Sequence, residues 1–298
     1  GAAAPSVAAP APVKHGPQLG AERRLAIPGG LQMVFCWVSP GTCQLGAPKA
    51  EQDAVAPVAV LYGEREEWVA AESEARRGKF TTPGFWLGKY PVTQSEWQVV
   101  MADNPSHFKE SKPRGFFREF VAGLRGEEDV SSLMQGQDAR RFPVENVSWD
   151  MCQTFLTRLN GVAKGVTVRL PHEDEWEYAA RGGNGNSQPY YWGGELNGNQ
   201  ANTNGNHPFG TTEKGPFLGR PCPVDFTNDG KYPAHPWGLL HLMGNVCEWC
   251  ENIYEKTKFR SLRGGSWSFH SAACRAATRS SCPADLRNYT TGCRLILA

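Results

Sequence analysis

Residues 168–183 read VRLPHEDEWEYAARGG and residues 244–249 read GNVCEW. In the first stretch, Arg169-Leu170-Pro171 leads into a helix over HEDEWEYAAR that stops at Gly182-Gly183, where glycine accepts left-handed backbone. Glu173, Asp174 and Glu175 fall in its first turn, where acids complement the helix dipole, so they need no catalytic explanation; only Glu177 lies beyond. Outward from there, Thr93-Gln94-Ser95-Glu96 is a capping box followed by Trp97, Val100 and Met101 at helical spacing. Ser148 caps another helix, with Trp149, Cys152, Phe155, Leu156 and Leu159 on one stripe. The run LQMVFCWV (31–38) followed by Pro40-Gly41-Thr42 predicts a hairpin that opens the domain. RSLRGGSW (260–267) and CRLILA (293–298) predict two neighbouring strands that display the segment between them.

The composition is globular: 298 residues, 40% hydrophobic, 20% charged. No apolar stretch reaches the roughly 18 residues of a spanning helix, so no membrane insertion is expected. A net charge of +1 removes the usual electrostatic warrant for nucleic acid or an anionic membrane surface. Gly 33, Pro 22 and Trp 10 point to many turns and short elements. The nine cysteines are scattered and odd in number, too sparse for a disulfide scaffold and compatible with full reduction or one or two bridges.

Residues 1–25 are Ala/Pro-rich and read as a linker or tail without a signal peptide's apolar segment. A single domain then runs over 26–298. Charge-mixed stretches near 47–80 and 108–140 read as surface insertions with solvated faces. From 185 to 260 periodicity fades, and stacked aromatics, short strands or a bound cation are needed to order the chain.

The ordered series GKYPVTQSEW (88–97), FPVENVSWDMC (142–152), VRLPHEDEWEYAARGG, WGLLHLMGNVCEW (237–249) and RSLRGGSW resembles the formylglycine-generating enzyme, or sulfatase-modifying factor, family from about Ala26 to Ala298. The resemblance implies an α+β fold, an elaborated C-type-lectin-like domain. In the family's enzymes two cysteines five apart follow the GGS motif, bind copper and attack the substrate thiol. Here the second position is Cys274 and the first is Phe269, which supplies neither thiolate nor metal ligand, so that chemistry is not expected. The resemblance also implies a calcium site at His241, Gly244, Val246 and Glu248, with side chains from the outer two and carbonyls between; Asn202 matches part of another. Histidine stands where asparagine is usual, and calcium prefers oxygen, which counts against the ion. Cys247-x-x-Cys250 lacks a second pair at zinc spacing, although His270, Cys274 and Cys282 would complete a ligand set; core cysteines are the simpler reading.

From Ser268 to Arg294 there is no Lys, Glu, Gln, Met or Trp. Those five are the residues no codon ending in a pyrimidine encodes. With RGGSW (263–267), CRAA (274–277) and Gly292-x-Arg294-Leu295, the C-terminus resembles the variable region, here about 266–294, of proteins diversified by retroelements, a branch of the same fold. That resemblance makes Ser268, Phe269, His270, Thr278, Ser280, Ser281, Cys282, Leu286, Tyr289 and Thr290 the exchangeable ligand-binding positions. Gly264, Gly265, Trp267, Arg275 and Arg279 become their scaffold. The implied function is non-catalytic recognition of a protein or glycan, on a phage particle or cell surface, with aromatic and hydroxyl side chains giving contact area at low entropic cost. The alternatives are an altered oxidoreductase, using Cys274 alone or a histidine-bound metal, for which His207, His235 and His241 show no commending spacing, and an inactive paralogue. Residues 260–298 hold six Arg against one Asp. Buried guanidiniums donating to carbonyls explain Arg275 and Arg279 better than a nucleic-acid patch does, and no nucleic-acid partner is predicted.

Overall fold

Among the described residues, four helices of eight residues or more carry the packing: α1 (Lys49–Leu61), α2 (Gln94–Met101), α3 (Trp149–Val162) and α4 (Glu173–Arg181). They belong to a computed structural model that describes residues 17–61, 70, 72, 73, 77–109, 130–183 and 185–298. Three of the helices start where the sequence writes a cap. At α2 the Thr93 hydroxyl accepts from the Glu96 N–H at 3.2 Å while the Glu96 carboxylate accepts from the Thr93 N–H at 2.8 Å. Ser148 accepts from the Met151 N–H at α3. At α4 His172 Nδ1 accepts from Asp174 N–H and Glu175 closes the box from the other side, with Gly182 left-handed at φ 71° as the stop. The stripe of α3 buries Cys152, Phe155, Leu156 and Leu159, and Trp97 of α2 stacks on Phe155 at 4.8 Å. Burying rings of this size contributes about 1.5–3 kcal/mol each.

The strands are β1 (Glu22–Ala26), β2 (Gln32–Val38), β3 (Gly41–Gln44), β4 (Lys79–Thr82), β5 (Phe85–Gly88), β6 (Val168–Arg169), β7 (Cys247–Ile253), β8 (Arg260–Arg263), β9 (Ser280–Cys282), β10 (Thr291–Cys293) and β11 (Ile296–Leu297). They form a five-stranded sheet ordered β1-β2-β5-β11-β6, a four-stranded sheet ordered β10-β7-β8-β9 and the pair β3-β4. The fold is α+β, with β10 and β7 parallel and the other ladders antiparallel. No helix among the described residues is long and apolar enough to cross a membrane.

Four expectations change. The opening hairpin is β1-β2, with Glu22 opposite Cys36, whereas β3 pairs with β4. The domain therefore begins inside the stretch read as linker, whose residues 1–16 lie outside the described residues. β8 and β10 are not neighbours, because β7 lies between them, and β11 crosses to the other sheet between β5 and β6. The stretch 47–80 is more than a solvated insertion: α1 buries Glu51, Val55 and Ala59. Likewise Phe108 is buried. Residues 62–69, 71, 74–76 and 110–129 of those two stretches lie outside the described residues.

Between 185 and 246 order comes from asparagine side chains more than from strands. Asn186 donates to the Arg181 and Tyr191 carbonyls, Asn197 to Glu213, and Asn245 bridges Cys222 to Asn202. Asparagine suits this role because its amide mimics a peptide group. Stacked rings add to it, Tyr190 on Trp192 at 5.0 Å.

Candidate ligand-binding surface

Residues 264–290 run from β8 through β9 to β10, and four arginines fix their course. Arg263 donates to Glu177 at 2.5 Å and to the Ala276, Ala277 and Thr278 carbonyls. Arg275 sits between Glu51 at 2.6 Å and Glu72 at 2.7 Å. Arg279 makes a bidentate pair with Glu173 at 2.7 Å on both nitrogens and a further contact with Glu255. Arg294 meets Glu248 and the Gly88 and Leu240 carbonyls. Arg275 and Arg279 are thus buried as expected, but carboxylates are their chief partners, with Arg275 also donating to Ala272 O. Burial alone would raise the Glu173 carboxyl; pairing with Arg279, with Arg263 and Arg77 close by, holds it down to about 2.

The glycines of RGGSW are there for space. A Cβ on Gly264, at φ 94°, would lie 2.8 Å from Leu242 O, and one on Gly265, at φ 68°, 2.5 Å from Cys274 Sγ. Trp267 is buried against Phe108, Met134, Ala139 and Phe142.

The ten positions expected to be exchangeable divide. Leu286 and Tyr289 are 41% and 42% exposed, and Ser280 is exposed. Ser268, Phe269, His270, Thr278, Ser281 and Cys282 are half-buried. Phe269 packs against both large core clusters, and its carbonyl accepts from Asn204 N–H and the Thr203 hydroxyl. Thr290 departs from expectation: it is buried, and its N–H and hydroxyl both donate to Asn288 Oδ1. Nor do the positions form one cluster. Tyr289 and Ser280–Cys282 flank opposite edges of a four-stranded sheet, about 14 Å apart at the usual strand spacing.

Tyr289 does meet Trp267, with ring centroids 6.2 Å apart, beside His107 at 5.3 Å and Phe108 at 6.4 Å. Phe217, itself 42% exposed, lies nearly parallel to Trp267 at 6.2 Å. His107, Phe108 and Phe217 were not singled out from the sequence, since nothing local in it brings them to residue 289.

Elsewhere, several of the residues weighed for thiol or metal chemistry are buried or already paired. Cys274 is fully buried, and burial pushes its thiol up to about 11 despite contacts from Thr203 and neighbouring backbone. All nine cysteines are unbridged. Among the described residues no group of three or more His, Cys, Asp and Glu could hold a metal. Cys247 and Cys250 are buried core residues. His235 has both ring nitrogens engaged, by Ala179 O and Trp237 N–H. The calcium set does not fit either: Glu248 accepts from Arg294 and, at 2.6 Å, from Trp176 Nε1, and His241 offers nitrogen. That carboxylate is already neutralised and hydrogen-bonded, so the expected calcium at His241, Gly244, Val246 and Glu248 lacks a free anionic ligand.

A chain with this fold and arginine-braced end sits within a known class. The family described as the sulfatase-modifying factor enzyme 1-like domain matches residues 34–298. The chain belongs to that family. It is 36% identical over 129 residues to the inactive C-alpha-formylglycine-generating enzyme 2 of Bos taurus, covering 42% of this chain and 38% of that protein. It is 33% identical over 179 residues to the formylglycine-generating enzyme of Streptomyces coelicolor, 51% of each chain. The chain thus spans about half or less of these two relatives' lengths. Among solved structures, Treponema denticola variable protein 1 superposes with TM-score 0.60 at 20% identity over 92% of this chain and 98% of that one. PvdO from Pseudomonas aeruginosa gives 0.63 at 18% identity over 95% and 99%. Both likenesses confirm the elaborated C-type-lectin-like fold.

Proposed function

We propose that this protein is a non-catalytic ligand-binding member of its family, whose C-terminal surface recognises protein or glycan targets through residues diversified by a retroelement. The observation that carries the reading is the pairing of a lost thiol with a braced display: Phe269 fills the first catalytic position, while Leu286 and Tyr289 project from a stretch held by four buried arginines. Binding positions are Ser268, Phe269, His270, Thr278, Ser280, Ser281, Cys282, Leu286 and Tyr289, with Thr290 engaged by the Asn288 side chain instead. Phe217 and His107 add fixed aromatic surface beside Tyr289. Rigid aromatic anchors ringed by small hydroxyls are the composition adaptable binding surfaces use.

The test is twofold. The DNA flanking the coding sequence should hold a near-copy of its last hundred or so bases, differing mainly at adenines, beside a reverse transcriptase. Oxygen consumption with a cysteine-containing peptide and copper should stay at background. Absence of the near-copy removes the diversification reading, and turnover abolished by Cys274→Ala would make the protein an oxidoreductase.

A further inference from the structure

Beside Tyr289 the surface continues onto residues outside the closing stretch. Phe217 is exposed and lies nearly parallel to Trp267. Arg220, on the same loop, holds its guanidinium 5.5 Å from the ring of Phe142, which packs with Trp267 and Phe108. Arg220 is half-buried; it donates to Pro221 O at 2.9 Å and, among the described residues, meets no carboxylate. Burial lowers its guanidinium from the ordinary value, whereas Arg275 and Arg279 are raised because carboxylates outweigh the same burial. Lys109 and Arg287 are exposed, donate to the Asn104 and Asn146 carbonyls, and have no carboxylate within ion-pair reach among the described residues. The buried Glu145 does not offset them. It accepts from the Phe108 N–H at 2.8 Å, and burial pushes its carboxyl up to about 8 although both cations act the other way, so at neutral pH it is mostly protonated. Asp285 is the one acid between residues 266 and 294.

Building on the ligand-binding reading above, we propose that this flank selects an acidic segment of a protein partner, whose carboxylates pair with Arg220, Lys109 and Arg287 and whose apolar side chains lie against Phe217 and Tyr289. None of Lys109, Phe217, Arg220 and Arg287 is among the ten exchangeable positions, so the flank sets the class of partner and the exchangeable side chains choose within it. A guanidinium already partly stripped of water has less hydration to lose on pairing, which makes Arg220 the strongest single contact. Arginine and lysine only donate, so the three cations match carboxylate oxygens and leave a sugar's hydroxyl donors unanswered. Three cations on a chain of net charge +1 are few for a nucleic acid, whose affinity grows with the number of phosphates neutralised.

Fluorescence anisotropy of the full chain with short labelled peptides that alternate Leu with Glu, Gln or Lys tests this. The Glu peptide should bind saturably with a dissociation constant on the order of 100 μM or tighter, and at least about ten-fold tighter than the other two. Raising the salt from about 0.05 M to about 0.5 M should weaken it several-fold. Arg220→Gln should weaken it about five-fold and Phe217→Ser about three-fold, with the urea midpoint showing that each variant is folded. Lys109→Gln, at an exposed site, should weaken it about two-fold and gives a second reading where Arg220→Gln disturbs folding. No saturable binding of the Glu peptide, equal binding of the Gln peptide, tighter binding of polygalacturonate or a thymidine oligonucleotide, or undiminished binding to a folded Arg220→Gln would each overturn the proposal. Those outcomes leave diversification by a retroelement standing. Absence of the near-copy in the flanking DNA would in turn leave the acid preference standing, since Lys109, Phe217 and Arg220 lie outside residues 266–294.

Discussion

Between Ser271 and Arg279 every side chain but Thr278 is buried, whereas from Ser280 to Tyr289 none is. The two runs adjoin in sequence and differ in what their residues are for. In the inner run Ser271, Ala272, Ala273, Ala276 and Ala277 are small, which leaves interior room for the guanidiniums of Arg275 and Arg279. Each meets two carboxylates from elsewhere in the chain, Glu51 and Glu72 for one, Glu173 and Glu255 for the other. In the outer run the backbone is what is held: Asp150 N–H donates to Ala284 O, Asn146 N–H to Asn288 O, and Arg287 to Asn146 O. Side chains there are exposed or half-buried, and Arg287 and Asn288 are among those that brace neighbouring backbone. Buried ion pairs are a poor source of net stability and a good means of fixing one geometry, since a mispaired charge is costly. Under the proposed function, such a division would let the outer side chains change while the path of the chain does not.

The strongest way to break this contrast is to remove a guanidinium from the inner run. Arg275→Met leaves Glu51 and Glu72 facing each other in the interior, and we expect a loss of about 3–5 kcal/mol, read as a fall in the urea midpoint. Replacing all three with apolar residues of similar volume should recover most of that loss, because no buried charge then lacks a partner. If Arg275→Met changes stability by less than about 1 kcal/mol, the inner run is not held by its ion pairs.

A somewhat smaller effect is expected from acid. The Glu173 carboxyl is held at about 2 in the folded chain against 4.5 in its ordinary state. A lowered folded value means the Glu173–Arg279 pair stabilises the protein above pH 4.5 and that this contribution fades as pH falls towards 2. At about 1.36 kcal/mol per pH unit of difference the total is about 3 kcal/mol. Urea unfolding at pH 6, 4.5 and 3 should show that slope in the native chain, and Glu173→Gln should flatten it. An equal slope in both proteins would mean other carboxylates govern acid unfolding.

What could be read in advance was whatever the chain encodes locally. Thr93, Ser148 and the run to Gly182 announce α2, α3 and α4 because a cap satisfies amides only two or three residues away. The expectation that Arg275 and Arg279 are buried could be read from the small residues between them, and the glycines of RGGSW face neighbours too close for a Cβ. The carboxylates that pair with those arginines could not. Glu51 and Glu72 lie 224 and 203 residues from Arg275 and sit in stretches whose mixed charge looks solvated. Nothing short-range distinguishes a carboxylate bound for a buried arginine from one bound for water. The same distance hid His107 and Phe217 beside the Tyr289–Trp267 pair. Glu248 misled in the other direction: its place in GNVCEW fits a calcium ligand, but Arg294 and Trp176 take both its oxygens.

The finest test asks whether exposure, or mere membership of the closing stretch, sets tolerance to change. Leu286→Ser, Tyr289→Asn and Ser280→Asn alter side chains with free outer surfaces, so each should shift unfolding free energy by no more than about 0.5 kcal/mol. Thr290 lies one residue from Tyr289 but is 6% exposed, with its hydroxyl on Asn288 Oδ1 at 2.8 Å. Thr290→Val keeps the shape and removes the donor, and should cost about 1 kcal/mol. Measured side by side in urea, a step between residues 289 and 290 would place the edge of the exchangeable surface there. Equal tolerance at both would mean that the Asn288 contact holds nothing, and equal cost at Tyr289 would mean that its stacking on Trp267 belongs to the scaffold.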